Sequence, residues 1–551
     1  MVSEPTSATG SNTKQSADTG PVSWSLFALA AFVLVALQVE LAFHKSINWD
    51  EFFHLSQIHT HLRGEAVQWQ QTPHVPLFSW VPSFVSEPID QAIWIRLMLL
   101  PCGIITAIAI WLTARRFTDN TAAAVAAIAW FGAGYVFMHS FALRADMIAA
   151  MLLTLALCAI VNLSSRWLAL IIAALLAALA FIATMKSLLY LPAFAAVVVW
   201  RLDLLKNIGV LAICAIGAIT VAGAIYMVLP SGVARDIVTL LEASARRMFD
   251  AGIFPNGGYF LVQLATAPAF TAMIIAGLWA QRKADGPFPW WLPIGLALPL
   301  LSVVIYRNSY PYFYAFILPP VAIAAAWGVQ SVTKRYSIKA VLLVTVMGAG
   351  ILSLAEDRSV IDNQRIVHAG IAEIFPEKVP YIDDVGFRPD YPRAVPHFAS
   401  GWSLEVYREN DHAMYDHAIE TVVSPMLLRQ GYALEQLQPD ADDPMALLPE
   451  DTAALRDNYL QHWGMIFVAG KRFEVSPDAR TYQIKMPGIY TLEGGAVTID
   501  GTLYEPGDSI ELKRGAIEVG PIMKGGTAIR WGDNLAVPET PFPQDPLFTN
   551  Y

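Results

Sequence analysis

Two adjacent carboxylates, Asp50 and Glu51, stand in the stretch NWDEFFH (48–54), a few residues beyond the first long apolar run. Charged groups beside a bilayer are costly unless they face water or an opposite charge. Candidate partners are Arg144 in FALRADM, followed by Asp146, Lys186 in ATMKSLLY, and Arg307 in VIYRNSYPYFY. Each sits at the lip of an apolar run, where it either snorkels as an interface anchor or joins a shared site. Cations facing carboxylates across a cavity suit a reaction in which a phosphate leaves and a hydroxyl is deprotonated. Arg offers the leaving anion a planar fork and Lys a point charge, while a carboxylate takes the proton. His54 follows Glu51 by three residues and Asp50 by four, on one helical face. Glu51 and His54 could therefore hold a divalent ion; solvated or hydrogen-bonded histidines are the competing reading.

These residues can meet only if the elements bearing them emerge on one side of a membrane. Of 551 residues, 55% are apolar and 15% charged, a composition too apolar for an ordinary soluble protein of this length. A run of about 20 apolar residues spans a bilayer, and eleven candidates occur: one from about residue 23, then 93–114, 121–142, 146–163, 167–185, 188–200, 208–229, 259–280, 290–306, 312–331 and 339–355. Residues 1–22, rich in Ser, Thr and Gly, read as a disordered cytoplasmic leader. Lys and Arg concentrate in cytoplasmic loops. With the N-terminus inside, Arg115, Arg116, Arg166, Arg201, Lys206, Arg282, Lys283, Lys334, Arg335 and Lys339 all fall on that side. Asp50, Glu51, Arg144, Asp146, Lys186 and Arg307 then share the opposite face, with the long first loop, 44–92.

That loop carries FFHLSQIHTHLRGEAVQWQQTPHVPLFSWVPSF, whose first part suits an interfacial helix and whose Trp and Phe side chains suit either a sugar site or an aromatic belt. Residues 356–551 are acidic, with 16 Lys and Arg against 31 Asp and Glu, which argues against a nucleic-acid partner. The three cysteines, Cys102, Cys158 and Cys214, all lie in apolar runs, so this region has no disulfide available. From about residue 465 it alternates apolar and polar positions between PG, GG and DG turns, which predicts short antiparallel strands. The fold expected is a polytopic α-helical membrane protein of about eleven transmembrane helices, residues 23–355, followed by a soluble extracytoplasmic α+β domain, 356–551, that ends in a small β-sandwich. Trp402, Tyr407, Trp463, Tyr482 and Trp531 of that domain suit core packing better than carbohydrate binding, and Asp383-Asp384 suits a turn better than a metal site.

The acidic pair after the first span, the Pro-punctuated turn PHVPL, the RxDM turn at Arg144–Met147, the KS turn at Lys186-Ser187 and the YPYFY run resemble, in their order, the GT-C superfamily of membrane glycosyltransferases. The likeness covers about residues 25–330 and is nearest to the dolichyl-phosphate-mannose protein mannosyltransferase branch with its bacterial relatives, the lipid A aminoarabinose transferases. It implies an inverting glycosyltransferase that moves a monosaccharide from a polyprenyl-phosphate donor to a hydroxyl of a glycan, lipid or protein acceptor. It also implies an inner membrane location, with the site on the periplasmic or lumenal face. By position it makes Asp50 the catalytic carboxylate and Glu51 the neighbour that orients the acceptor or a metal. Arg144, Lys186 and Arg307 become the donor-phosphate ligands, supported by Asp146, His74, Tyr310 and Tyr312. The turn departs from the family at His74, where bacterial relatives often have Lys in a KPPL-like turn, so the cation there is weaker. A flippase for a lipid-linked glycan, or a ligase or polymerase using a diphosphate-linked donor, would also want outward cations; a flippase further needs charge near mid-membrane.

Overall fold

The computed structural model describes residues 24–65, 72–202, 252–280, 288–395, 401–437, 443, 445–523 and 525–549. Among these, seven helices are long and apolar enough to cross a membrane, or eight if one bent pair counts as a span. The protein is thus a polytopic helical membrane protein with a C-terminal sheet domain. The expected count of eleven is not confirmed among the described residues. The 121–142 run divides into Asn120–Phe131 and Gly134–His139. The 259–280 run turns by 98° between Gly257–Thr266 and Pro268–Trp279, where Pro268 supplies no N–H to continue the first helix. The 290–306 run is cut into Trp291–Ala297, a 3-10 turn Leu298–Leu301 and Ser302–Ile305. The 208–229 run, Lys206, Arg282, Lys283 and the leader lie outside the described residues, as does the side chain of Trp402.

Side-chain bonds gather the helix ends into two sets. At one end Arg116 Nε donates to Asn162 Oδ1 (2.8 Å), Arg201 Nη2 to the Leu163 carbonyl (2.8 Å) and Gln330 Nε2 to Asp119 Oδ2 (3.1 Å). The other end holds Asp50, Arg144 and Lys186. The helix Pro311–Arg335 runs between them, almost wholly buried despite Pro319 and Pro320. It crosses Pro268–Ala280 at Gly328 and Gly277, where a Cβ on Gly328 would collide with the Met273 carbonyl and the Gly277 N–H. Small residues let membrane helices approach this closely. Since backbone cannot swing aside, Gly328→Ala is expected to cost about 1–3 kcal/mol, seen as a lower unfolding temperature in detergent; an unchanged midpoint would show that the crossing has slack.

The C-terminal domain opens with the amphipathic helix Ser359–Ile374. Its strands are β1 (Tyr381–Ile382), β2 (Met426–Leu428), β3 (Tyr459–Trp463), β4 (Ile466–Arg472), β5 (Arg480–Ile484), β6 (Gly488–Glu493), β7 (Val497–Ile499), β8 (Thr502–Tyr504), β9 (Ser509–Leu512), β10 (Gly515–Val519) and β11 (Ala528–Trp531). One sheet has the order β1-β2-β4-β11-β6-β9 with β3 also on β4, and the second has β5-β10-β7-β8. Among the named strands β1 and β2 pair in parallel and the other described pairs are antiparallel. Asp500 and Gly501 both take positive φ (49° and 82°) between β7 and β8, as a tight hairpin requires. The two sheets close on one apolar core, with Leu492, Ile510 and Ile529 from the first and Ile484, Val497 and Ile517 from the second.

Tyr407 and Trp463 are buried in apolar clusters. Tyr482 accepts the Glu474 N–H through its hydroxyl, and Trp531 donates to the Pro487 carbonyl. Asp383 accepts the N–H groups of Gly386 and Phe387 and pairs with Arg393 at 2.9 Å, the pattern of a fixed turn. Phe52, Leu55 and Ile58 of the first loop share a core with Ile371, Phe387 and Trp463. The element that bears Asp50 is therefore fastened to the C-terminal domain.

Candidate active site

Asn48 caps the helix Trp49–Leu62: its side chain accepts the Asp50 N–H at 3.1 Å, and Glu51 Oε2 accepts the Asn48 N–H at 3.1 Å. This reciprocal box fixes the first turn. Consecutive helical residues point in different directions, so the two carboxylates part company. Glu51 turns inward to Arg96, which donates to it through Nε (2.8 Å) and Nη2 and to the carbonyls of Lys45 and Ser46 (2.7 Å each). The Leu143 N–H also donates to Glu51 Oε1 at 2.9 Å. Burial pushes the Glu51 carboxyl up, but the Arg96 charge and these hydrogen bonds more than offset it and hold the group below the usual carboxylate range. Glu51 thus anchors three segments of chain, and both its oxygens are engaged. Glu51, half of the expected metal pair with His54, is engaged in this way, and among the described residues no group of three or more His, Cys, Asp or Glu is placed to hold a metal.

Asp50 faces the other way and forms an ion pair with Arg144. Arg144 also pairs with Asp146 at 3.0 Å, and Asp146 with Lys186 at 2.5 Å. Asp50, Arg144, Asp146 and Lys186 form an unbroken row of alternating charge. Tyr312 lies under it, with the Arg144 guanidinium 3.4 Å and the Lys186 ammonium 5.3 Å from its ring centre, so the ring's negative face supports both cations. The position of each group follows from a local break: Arg144 immediately precedes the helix Ala145–Asn162, Lys186 sits in a 3-10 turn after Thr184, and Tyr312 is in the first turn of a helix opened by Pro311. Asp146 is buried, whereas Asp50 keeps 17% of its side-chain surface exposed. A small cleft is lined by Asn48, Glu51, His139, Arg144, Tyr312 and Thr549 among others.

The remaining expected residues fall less close together. Arg307 reaches the C-terminal domain, where it meets Glu405 in a two-pronged pair (2.6 and 3.2 Å). Tyr310 stands 6.1 Å from Tyr312, ring centre to ring centre. His74 and His54 pack edge to face at 4.8 Å, both buried. Burial drives both imidazoles toward the neutral form. His74 falls to about 4, with Asp146 opposing the shift and Arg144 adding to it, and His54 falls well below the usual range, helped by His74, Arg144 and Lys186. A folded-state value below the unfolded one means that the unfolded chain takes up a proton the folded chain refuses. Stability therefore falls as pH drops from about 6.5 toward 4, by about 3 kcal/mol for His74. The unfolding midpoint should decline over that window and decline less in His74→Gln; equal declines would remove His74 as the cause.

Arg96 did not stand out among the candidates, although its signal was present: it is a lone cation inside the apolar stretch IWIRLMLL, and such residues are paired in the membrane. Residues 73–227 match the family model described as dolichyl-phosphate-mannose-protein mannosyltransferase. No curated protein matches the sequence. Among solved structures, ArnT from Cupriavidus metallidurans bound to undecaprenyl phosphate is similar at 13% identity, over 67% of this chain and 85% of that one, with a TM-score of 0.48. The archaeal oligosaccharyltransferase AglB from Archaeoglobus fulgidus, in complex with an inhibitory peptide and a dolichol-phosphate, is similar at 10% identity, over 93% and 96% of the two chains, also at 0.48. Likenesses of this depth assign no residue a role. The segment that carries His74, Arg144, Asp146 and Lys186 is thus the part of the chain that matches the protein mannosyltransferase family model.

Proposed function

We propose that this protein is an inverting glycosyltransferase that takes a monosaccharide from a polyprenyl-phosphate donor and transfers it to a hydroxyl of a glycan, glycolipid or protein. The observation that carries this reading is the row Asp50–Arg144–Asp146–Lys186 at the lip of the apolar helices. It places a partly exposed carboxylate beside two cations. The donor phosphate approaches from the lipid side and meets Arg144 and Lys186. As it draws Arg144 toward itself, the Asp50–Arg144 pair loosens and Asp50 accepts the proton of the attacking hydroxyl. The acceptor oxygen forms its bond to the anomeric carbon from the face opposite the phosphate. The C–O bond to the phosphate breaks, and the polyprenyl phosphate leaves with the electron pair. Arg144 and Lys186 stabilise that leaving dianion more than the diester it came from, which is what accelerates the step. Asp146 holds both cations in place. Glu51, committed to Arg96, positions the helix and does not react. The site and the C-terminal domain would face the periplasm of a bacterial inner membrane.

The test is incubation of the purified protein with a panel of polyprenyl-phosphate monosaccharides and a mixed hydroxyl acceptor pool, with released polyprenyl phosphate measured by mass spectrometry. Release with one donor class supports the reading. Folded protein that releases none, yet moves a fluorescent lipid-linked glycan across proteoliposomes, would replace it with the flippase.

A further inference from the structure

The residues just before the Asp50 helix are held from the C-terminal side of the chain. Gln364, fully buried on the helix Ser359–Ile374, accepts the Ile47 N–H through Oε1 (2.9 Å) and donates through Nε2 to the carbonyls of Ile47 (2.8 Å) and Leu547 (2.7 Å). One amide thus joins the residue ahead of the Asn48 cap to the segment 541–549. Two residues of that segment make further contacts nearby. The Phe548 ring stacks on Trp49 at 5.5 Å and 17° and meets Phe52 and Phe387 edge-on at 6.0 and 5.8 Å, while the Thr549 and Ser46 hydroxyls lie 3.0 Å apart. Trp49 and Phe52 flank Asp50 and Glu51, and Thr549 lines the cleft that contains Arg144 and Tyr312. Six residues earlier, Phe542 packs differently, on Trp463 and over Gly464 in the sheet domain.

We propose that residues Leu547–Thr549 are a positioning strap for the candidate base: Phe548, clamped on Trp49, and Gln364, clipped to Ile47, set the direction in which Asp50 leaves its helix. The first turn of a helix has few backbone bonds of its own and depends on what packs against it. Asn48 and Glu51 fix the backbone of that turn, but the Trp49 ring on its outer side rests on Phe548. A base must sit within hydrogen-bond reach of the proton it takes, and small misplacements are costly. The strap therefore affects the chemical step more than donor binding, which lies with Arg144 and Lys186. This inference rests on the function proposed above.

The test compares Phe548→Ala, Phe548→Tyr and Phe542→Ala in the full-length protein. Phe548→Ala should lower kcat about tenfold with an unchanged KM for the donor, and Phe548→Tyr, which keeps the stacking ring, should restore it. Phe542→Ala removes a similar aromatic contact from the same segment and should leave kcat within about twofold, whatever it does to the unfolding temperature. Equal losses in the two alanine variants, or a Phe548→Ala loss confined to stability, would overturn the strap. Hydrogen exchange of residues 46–56 supplies a readout that needs no turnover: Phe548→Ala should speed it and Phe542→Ala should not. If wild-type protein shows no transfer, the proposed function fails, and exchange alone still decides whether the strap holds this turn.

Discussion

Asp50→Asn is expected to lower turnover by about three orders of magnitude while the protein still folds and still binds donor. The range follows from the role: a positioned general base is worth roughly 10²–10⁴ in rate, and an amide cannot accept the acceptor's proton. The substitution is mild for structure. Asn48, not Asp50, caps the helix, the backbone N–H of residue 50 still reaches the Asn48 side chain, and Glu51 still holds Arg96. The side-chain carbonyl that the substitution leaves can still accept from Arg144, and Asp146 still anchors that guanidinium. Donor affinity should therefore change little, and KM should stay within a few-fold while kcat collapses. The measurement is steady-state release of polyprenyl phosphate beside a binding assay for the donor lipid. Retention of more than about a tenth of wild-type turnover would remove Asp50 as the base. A parallel loss of donor affinity would instead point to a role in holding Arg144.

The adjacency of Asp50 and Glu51 in the sequence conceals that the two side chains face different ways. Apolar runs mark where helices end, and the asymmetry of Lys and Arg brings Asp50, Arg144, Asp146 and Lys186 to one end before any coordinate is known. In the structure ion pairs join them. Adjacent letters in a helix, however, face different directions, and nothing local tells which of Asp50 and Glu51 looks inward. That was settled by Arg96, 45 residues away and in the middle of an apolar run. Arg307 shows the same limit at longer range. Its place at a helix lip suggested a phosphate ligand, and the carboxylate it meets is Glu405, 98 residues on. Breaks inside apolar runs were also hidden, since Gly132 or Pro299 sits in hydrophobic sequence without lowering its hydropathy enough to register. In the C-terminal domain, alternation exposed β9 and β10, whose buried and exposed positions follow it. The parallel pairing of β1 with β2 joins strands of two and three residues and leaves no periodic trace.

Breaking the Glu51–Arg96 pair from either side should be the most damaging change to stability in the outer loop. Both side chains are almost completely buried, at 2% and 1% exposure. Glu51→Ala leaves a guanidinium charge without its counterion, and Arg96→Met leaves a carboxylate with only the N–H groups of Leu143 and Asn48. Removing one partner of a buried pair typically costs about 3–5 kcal/mol. The double variant Glu51→Leu with Arg96→Met removes both charges, so it should be more stable than the sum of the single losses implies, with a coupling of about 1–3 kcal/mol. Recovery should be incomplete, because the carbonyls of Lys45 and Ser46 and the Leu143 N–H lose partners in a place water reaches poorly. Unfolding in detergent, followed by tryptophan fluorescence, measures all three variants. Strict additivity would mean that the two residues do not act as a pair. The same series separates anchoring from chemistry. Glu51→Gln keeps an acceptor for Arg96 and for the two N–H groups, so the fraction that folds should turn over within about tenfold of wild type. A loss as deep as that of Asp50→Asn in fully folded Glu51→Gln would place both carboxylates in the reaction and undo the division of labour drawn from their opposite orientations.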